Sequence, residues 1–216
     1  VITPATVHQI WVGPQMPAEY RRYLVSWSKQ NPGWTYRLWG EADLAGLDMR
    51  NRALYDAAEV HAPTDAVRWR VDVARLEILW AHGGIYADCD SRCLKPLDQL
   101  RRHRMFFAQS PNDPRLATNA VMGAEAGHPF LDALIRGLPG NAAAYRGKRL
   151  VDSVGGKYIT RMICTHQPPD VDVLPWWMFA GRSIRDRDRG RPPDLSRAYI
   201  DHLYGNTRGR RRVGSG

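Results

Sequence analysis

The order of apolar and polar positions predicts alternating strands and helices from the start of the chain. Thr6 to Val12 (TVHQIWV) is short, β-branched and aromatic, and Gly13-Pro14 ends it, so it reads as a buried strand running into a tight turn. From Pro17 the apolar spacing lengthens. Tyr20, Leu24 and Trp27 fall on one helical face, and Asn31-Pro32-Gly33 stops the pattern. Trp34 to Trp39 (WTYRLW) returns to strand character before Gly40. Strand, helix, strand in this order predicts an α/β domain with a parallel sheet. Glu41 to Ala62 reads as short helices with irregular joins. Pro63-Thr64-Asp65 then opens a longer helix, expected to reach about Ala81, with His82-Gly83 as its stop.

Further on, Lys95-Pro96 begins a short predicted helix to Leu100. Met105 to Gln109 and Ala117 to Gly123 read as strands separated by a loop rich in Pro, Asn and Asp. His128-Pro129 starts a helix expected through Ile135, and Gly155 to Ile163 is helical or mixed. Val171 to Leu174 reads as a strand, followed by a loop at Pro175-Trp176-Trp177. Arg182 to Pro193 reads as a mobile loop, and Ala198 to Tyr204 (AYIDHLY) as a last short strand. The pattern predicts one domain over residues 1–206 and a basic, disordered tail over 207–216.

One stretch carries candidate chemistry. Gly83 to Asp90 reads GGIYADCD: a helix stop, a β-prone run, then two carboxylates two positions apart. On an extended strand, residues i and i+2 share a face roughly 6.5–7 Å apart. Asp88 and Asp90 would then project together at a strand's carboxyl end, where ligands bind in α/β sheets. Such a pair can hold a hard divalent cation that also carries phosphates. A polar strand end entering a turn is the plainer account, since D-x-D is common. The preceding helix adds a stripe: Asp65, Arg68, Asp72 and Arg75 recur at three- and four-residue steps and line one face. That face is either solvated and laced with ion pairs or turned toward a cleft.

Composition narrows the class. At 216 residues with 44% hydrophobic content the chain can bury a real core, and no apolar run approaches the roughly 20 residues of a membrane-spanning helix. No segment reads as a signal peptide. Cys89, Cys93 and Cys164 form neither a disulfide framework nor a paired zinc site, and are expected to be reduced, buried or neutral, which points to a cytoplasmic setting. Cys89, lying between the two aspartates, is expected to face the core. The net charge of +9 concentrates late, in Arg182, Arg185, Arg187, Arg189 and Arg191, then Arg208, Arg210, Arg211 and Arg212. Such clusters attract phosphates, nucleic acid or acidic surfaces, and equally suit a soluble tail.

Taken together, HQIWVG at His8–Gly13, NPGWTYRLW at Asn31–Trp39, the block from Asp72 through Arg75 to GGIYADCD, NAVMGAEAGHPFL at Asn119–Leu131 and the late AYIDHLYGN resemble glycosyltransferase family 32, the D-x-D sugar transferases. The family shares core motifs with the clostridial glucosylating toxins. The resemblance implies a GT-A fold: a Rossmann-like, mostly parallel central sheet flanked by helices. It implies a retaining transfer of a hexose from a UDP- or GDP-sugar to a glycan, lipid or protein hydroxyl, with Mn²⁺ or Mg²⁺ as cofactor.

It also implies roles for residues. Ile10, Trp11 and Val12 would bind the nucleotide, with Trp11 stacked on the base. Asp72, Arg75, Gly84, Tyr86 and Asn119 would surround the donor sugar. Asp88, Asp90 and His202 would hold the metal, and Asp72, Arg75, Asp88 and Asp90 form the expected catalytic set. Two departures touch the closing lid and acceptor side: Ser153-Val154-Gly155-Gly156 replaces a Thr-Gly-Pro turn, and Asn206-Thr207-Arg208 stands where Ser-Trp is frequent. Two other classes compete with this reading. One is a metal-dependent phosphohydrolase or nuclease, which needs more clustered carboxylates. The other is a nucleic-acid-binding module using the arginine clusters, which lack the interleaved aromatics of a single-strand platform. The basic tail is also a candidate contact for an anionic acceptor, a partner or a membrane surface.

Overall fold

The computed structural model describes residues 3–203. A six-stranded sheet forms the centre, in the order β2-β1-β3-β6-β5-β7. Its strands are β1 (Thr6–Ile10), β2 (Thr35–Trp39), β3 (Gly84–Ala87), β5 (Met105–Gln109), β6 (Ala117–Ala124) and β7 (Val171–Leu174). β1 is parallel to both β2 and β3, and β5 is parallel to β7. β6 alone runs against its neighbours β3 and β5, so the sheet is mostly parallel with one reversed strand. The helices are α1 (Ala18–Gln30), α2 (Glu41–Gly46), α3 (Arg52–Asp56), α4 (Ala58–His61), α5 (Ala66–His82), α6 (Pro129–Ala144), α7 (Leu150–Ser153), α8 (Gly156–His166) and α9 (Ile184–Asp188).

Alternation along the strands divides the core between the two faces of the sheet. Tyr86, Met105 and Phe107 pack with Leu76, Leu79, Leu131 and Leu134 on the α5–α6 side. Ile85, Ala87 and Phe106 pack with Trp27 and Leu97 on the other. Helix α5 ends where its sequence demands. Gly83 and Gly84 have φ of 62° and 100°, and a Cβ on Gly84 would come within 2.7 Å of the Thr6 carbonyl. His8 fastens this corner: its Nδ1 accepts from Trp39 Nε1 at 3.1 Å, leaving Nε2 to donate to the Gly83 carbonyl at 2.9 Å.

Several expectations are revised. A small second sheet pairs β4 (Ser91–Cys93) antiparallel with β8 (Ile200–His202). β8 was expected as a strand, but β4 was not. Helix α1 steadies β4, with Trp27 Nε1 donating to the Ser91 carbonyl and Cys93 N donating to Ser26 Oγ. The turn after Lys95-Pro96 is a 3₁₀ helix at Asp98–Arg102, later than expected. Helix α6 continues past Ile135 to Ala144 despite Pro139. Pro139 has no N–H for the Ile135 carbonyl one turn back, and Asn51 Nδ2 donates to that carbonyl instead at 2.9 Å. Within the arginine-rich 182–193 stretch, α9 forms where Ser183 caps it by accepting from Asp186 N. Tyr204 and the basic tail, including the boundary at Asn206, lie outside the described residues.

Candidate active site

The carboxyl ends of β1 and β3 open into a cleft of about 1320 Å³. Its floor is a knot of charge carried by α5, β3 and β6. Asp72 and Arg75, one helical turn apart, form an ion pair at 2.9 Å, and both side chains are buried. Arg75 also reaches Asp88 Oδ1 at 3.2 Å, donates to the Asn119 carbonyl, and stacks over the Tyr86 ring at 4.5 Å. Asn119 Nδ2 returns a bond to Asp72 Oδ1 at 2.8 Å. Tyr86 donates its hydroxyl to Asp88 Oδ1 at 2.8 Å. The stripe expected on α5 therefore faces the cleft: Asp65, Arg68, Asp72 and Arg75 all line it.

Electrostatics follow from burial and pairing. Burial pushes Asp72 up to about 6, against the pull of Arg75. For Arg75 burial opposes the charge, but Asp88 and Asp72 outweigh it and hold the guanidinium protonated. Burial raises the Tyr86 hydroxyl well above the usual phenol range, so it remains a donor to Asp88.

Asp88 and Asp90 meet by a route other than the expected one. β3 ends at Ala87, and a turn follows in which Ser91 N donates to the Asp88 carbonyl at 3.1 Å. The turn, not strand periodicity, gathers the two carboxylates. Gln9 Nε2 holds the same Asp88 carbonyl at 3.0 Å, and Tyr36 donates to Gln9 Oε1 at 2.7 Å. Cys89 faces inward, as expected, with its thiol on the Ile10 carbonyl. Cys93 is buried as well, whereas Cys164 is exposed.

From the second sheet, His202 Nε2 lies 2.9 Å from Asp90 Oδ1 and 3.7 Å from Asp88 Oδ2. Ligand atoms of Asp88, Asp90 and His202 all lie within 4.8 Å of one another. Two carboxylates and one imidazole suit Mn²⁺ or Mg²⁺. No other carboxylate, His or Cys joins this group among the described residues, which counts against a multi-carboxylate phosphohydrolase.

Ile10, Trp11 and Val12 line the cleft beyond the end of β1. Trp11 is half-buried, its Nε1 donating to the Pro14 carbonyl and its ring edge-on to Tyr20 at 5.7 Å. Gly84 is not brought to the cleft. It sits at the opposite end of β3, between the Thr6 carbonyl and His8, and its work is in the turn. Sequence reasoning missed Gln9, whose place in HQIWVG was its signal. It also missed His61, which lines the cleft stacked on Trp69 at 4.8 Å.

Comparisons with known proteins agree with this geometry. Residues 17–107 match the glycosyltransferase sugar-binding region containing the DXD motif. The matched segment runs from α1 into β5 and holds Asp72, Arg75, Asp88 and Asp90. Inositol phosphoceramide mannosyltransferase 1 of Schizosaccharomyces pombe is 28% identical over 186 residues, covering 82% of this chain and 57% of that protein. The chain spans about half the length of the curated relatives it matches. Among solved structures, the PaToxG glycosyltransferase superposes with a TM-score of 0.61 at 13% identity, over 76% of this chain and 70% of that one. Mouse xyloside xylosyltransferase 1, in its apo form, gives 0.55 at 12% identity, over 94% and 98%. These likenesses place the chain on the GT-A fold. No helix among its described residues is long and apolar enough to cross a membrane.

Proposed function

We propose that the chain transfers a hexose from a UDP- or GDP-sugar to an acceptor hydroxyl, with retention at the anomeric carbon and with a divalent cation. The observation that carries this is the buried Asp72–Arg75 pair beside the Asp88–Asp90–His202 group in one cleft. Mannose is the first donor sugar to consider, because the S. pombe relative is named a mannosyltransferase.

Asp88, Asp90 and His202 would hold the cation, which when bound neutralises charge on the diphosphate. The protein's own groups do the rest. Asp72 accepts from donor-sugar hydroxyls, and Arg75 offers its fixed fork of N–H donors, already oriented by Asp88 and the Asn119 carbonyl. Tyr86 fixes Asp88 by its hydroxyl and forms the wall under the sugar. Trp11 and its neighbours Ile10 and Val12 receive the nucleotide, with the indole available to stack on the base. In the transfer, the bond from the anomeric carbon to the phosphate oxygen breaks and its electron pair leaves with the nucleoside diphosphate. The acceptor oxygen bonds the same carbon on the same face, and its proton passes to the departing phosphate oxygen. Catalysis is then positioning plus charge stabilisation.

The test is a panel of UDP- and GDP-sugars with Mn²⁺, read out by release of nucleoside diphosphate. One sugar nucleotide should be turned over, a chelator should stop it, and Asp90→Ala should abolish it without unfolding the chain. Undiminished turnover by Asp90→Ala in the presence of chelator would sink the proposal.

A further inference from the structure

A second charged feature lines the same cleft. Residues 145–157 contribute Arg146, Lys148, Arg149 and Lys157 against one carboxylate, Asp152, leaving a net charge of +3. Asp152 is taken up by Lys157 at 2.8 Å and Arg149 at 3.5 Å. Arg146 and Lys148 are exposed, with no ion-pair partner among the described residues. Lys148, Arg149 and Lys157 line the cleft itself. Arg146 adjoins them, one residue before the cleft-lining Gly147.

The position of this loop separates it from the donor's phosphates. Ile10 ends β1, Trp11 and Val12 follow it, and Asp88–Asp90 follow β3, whereas the basic loop leads into α8, which packs on the next strand along, β6. The start of α8 is pressed onto β6 so closely that a Cβ on Gly156 would come within 2.5 Å of the Ala117 carbonyl. Ala117 and Thr118 precede Asn119, which bonds Asp72. The cations therefore stand on the β6 side of the sugar-binding knot, and the candidate metal group stands on its β3 side.

The loop is also built to hold its shape. Asn141 Nδ2 donates to the carbonyls of Asp152 and Ser153, and Ser153 Oγ donates to the Tyr145 carbonyl at 3.0 Å. Arg161 donates to Asn141 Oδ1 and the Asp152 carbonyl and covers the Tyr145 ring at 4.1 Å. Lys148 N closes a turn on the Tyr145 carbonyl at 3.0 Å, with Gly147 at φ 73°. A loop whose backbone is already fixed loses less freedom on meeting an anion than a floppy one. The cleft of about 1320 Å³ exceeds the roughly 300–1,000 Å³ of ordinary small-ligand sites, leaving room for a second substrate beside the donor.

We propose that Arg146, Lys148 and Arg149, with Lys157 behind them, form an acceptor-phosphate subsite, so that the acceptor carries a phosphomonoester or phosphodiester close to the hydroxyl that is glycosylated. This deepens the sugar-transfer reading and rests on it. The phosphate can belong to a soluble phosphorylated polyol or to a lipid headgroup.

The experiment measures binding directly, so it does not depend on turnover. Calorimetric titration at low salt compares myo-inositol 1-phosphate with myo-inositol, and vesicles of phosphatidylcholine with and without phosphatidylinositol provide the lipid arm. The full chain should prefer the phosphate form in at least one arm, and the arm that responds identifies the source. Arg146→Gln/Lys148→Gln should weaken that binding about tenfold or more, and added salt should weaken it in the unaltered chain. Equal binding of phosphorylated and unphosphorylated probes in both arms would overturn the proposal. So would unchanged binding by the double variant, or a matching loss of UDP or GDP affinity, which would assign the loop to the donor. Donor turnover by the unaltered chain, measured alongside, reports on the sugar-transfer reading separately.

Discussion

His202 Nε2 lies 2.9 Å from Asp90 Oδ1 although 112 residues separate them in sequence. For His202 burial opposes the charged form, but Asp90 and Asp88 more than offset it, so the imidazole holds its proton to higher pH than usual. A cation must displace that proton. Mn²⁺ affinity, followed by calorimetry, should therefore fall as pH drops through and below the raised His202 value. In the metal-free protein the sign reverses. The stabilisation from charged His202 is fully present below about 6.5, the unfolded value, and fades as pH rises through the raised folded value. Melting curves of His202→Gln without metal should lack this dependence.

Arg75 holds together the floor of the cleft. Arg75→Ala leaves the buried Asp72 without its ion pair and frees the Asp88 carboxylate from its guanidinium. The expected loss is about 3–5 kcal/mol in urea unfolding, with loss of sugar transfer. Arg75→Lys should recover part of the stability and little of the transfer, since an ammonium cannot reach Asp72, Asp88 and the Asn119 carbonyl as one planar fork.

His8 gives the fold an acid limit. Burial lowers it from 6.5 to about 4, so it stays neutral between Trp39 and Gly83. Its contribution is fully present above about 6.5 and is lost as pH falls through about 4, a difference of about 3 kcal/mol. Unfolding free energies measured from pH 7 to 4 should decline, and His8→Gln should flatten that decline from a lower starting stability.

The bond from Asn51 to the Ile135 carbonyl offsets the donor that Pro139 lacks. Asn51→Ala should cost about 1–3 kcal/mol by leaving a buried carbonyl unsatisfied. Adding Pro139→Ala supplies a backbone N–H and should recover part of the loss. Strictly additive effects in the double-mutant cycle would count against this account.

What the sequence revealed and what it hid follow from the range of the interactions. The stripe on α5 and its stop at Gly83 are local, set by periodicity and by backbone that only glycine adopts easily, and both were legible. The end of α6 was not, because Asn51 rescues a proline 88 positions later in the sequence. Three-residue β4 has no pattern of its own; it exists because α1 and β8 pack against it. The grouping of Asp88 with Asp90 was anticipated on the wrong local geometry, since a turn and a strand both bring such residues together. Gly84 was drawn toward the sugar by its place in the motif, while its dihedral angles tie it to the turn.

The pairing of β4 with β8 has a consequence for synthesis. Ser91 waits for His202 as its register partner, and the Asp88–Asp90 turn has its imidazole neighbour only once that strand arrives. A nascent chain can therefore lay down the parallel β1–β3 core early, yet it holds no complete cation-binding group until residue 202 has cleared the ribosome. The second sheet thus completes late in synthesis the candidate group that the end of β3 begins.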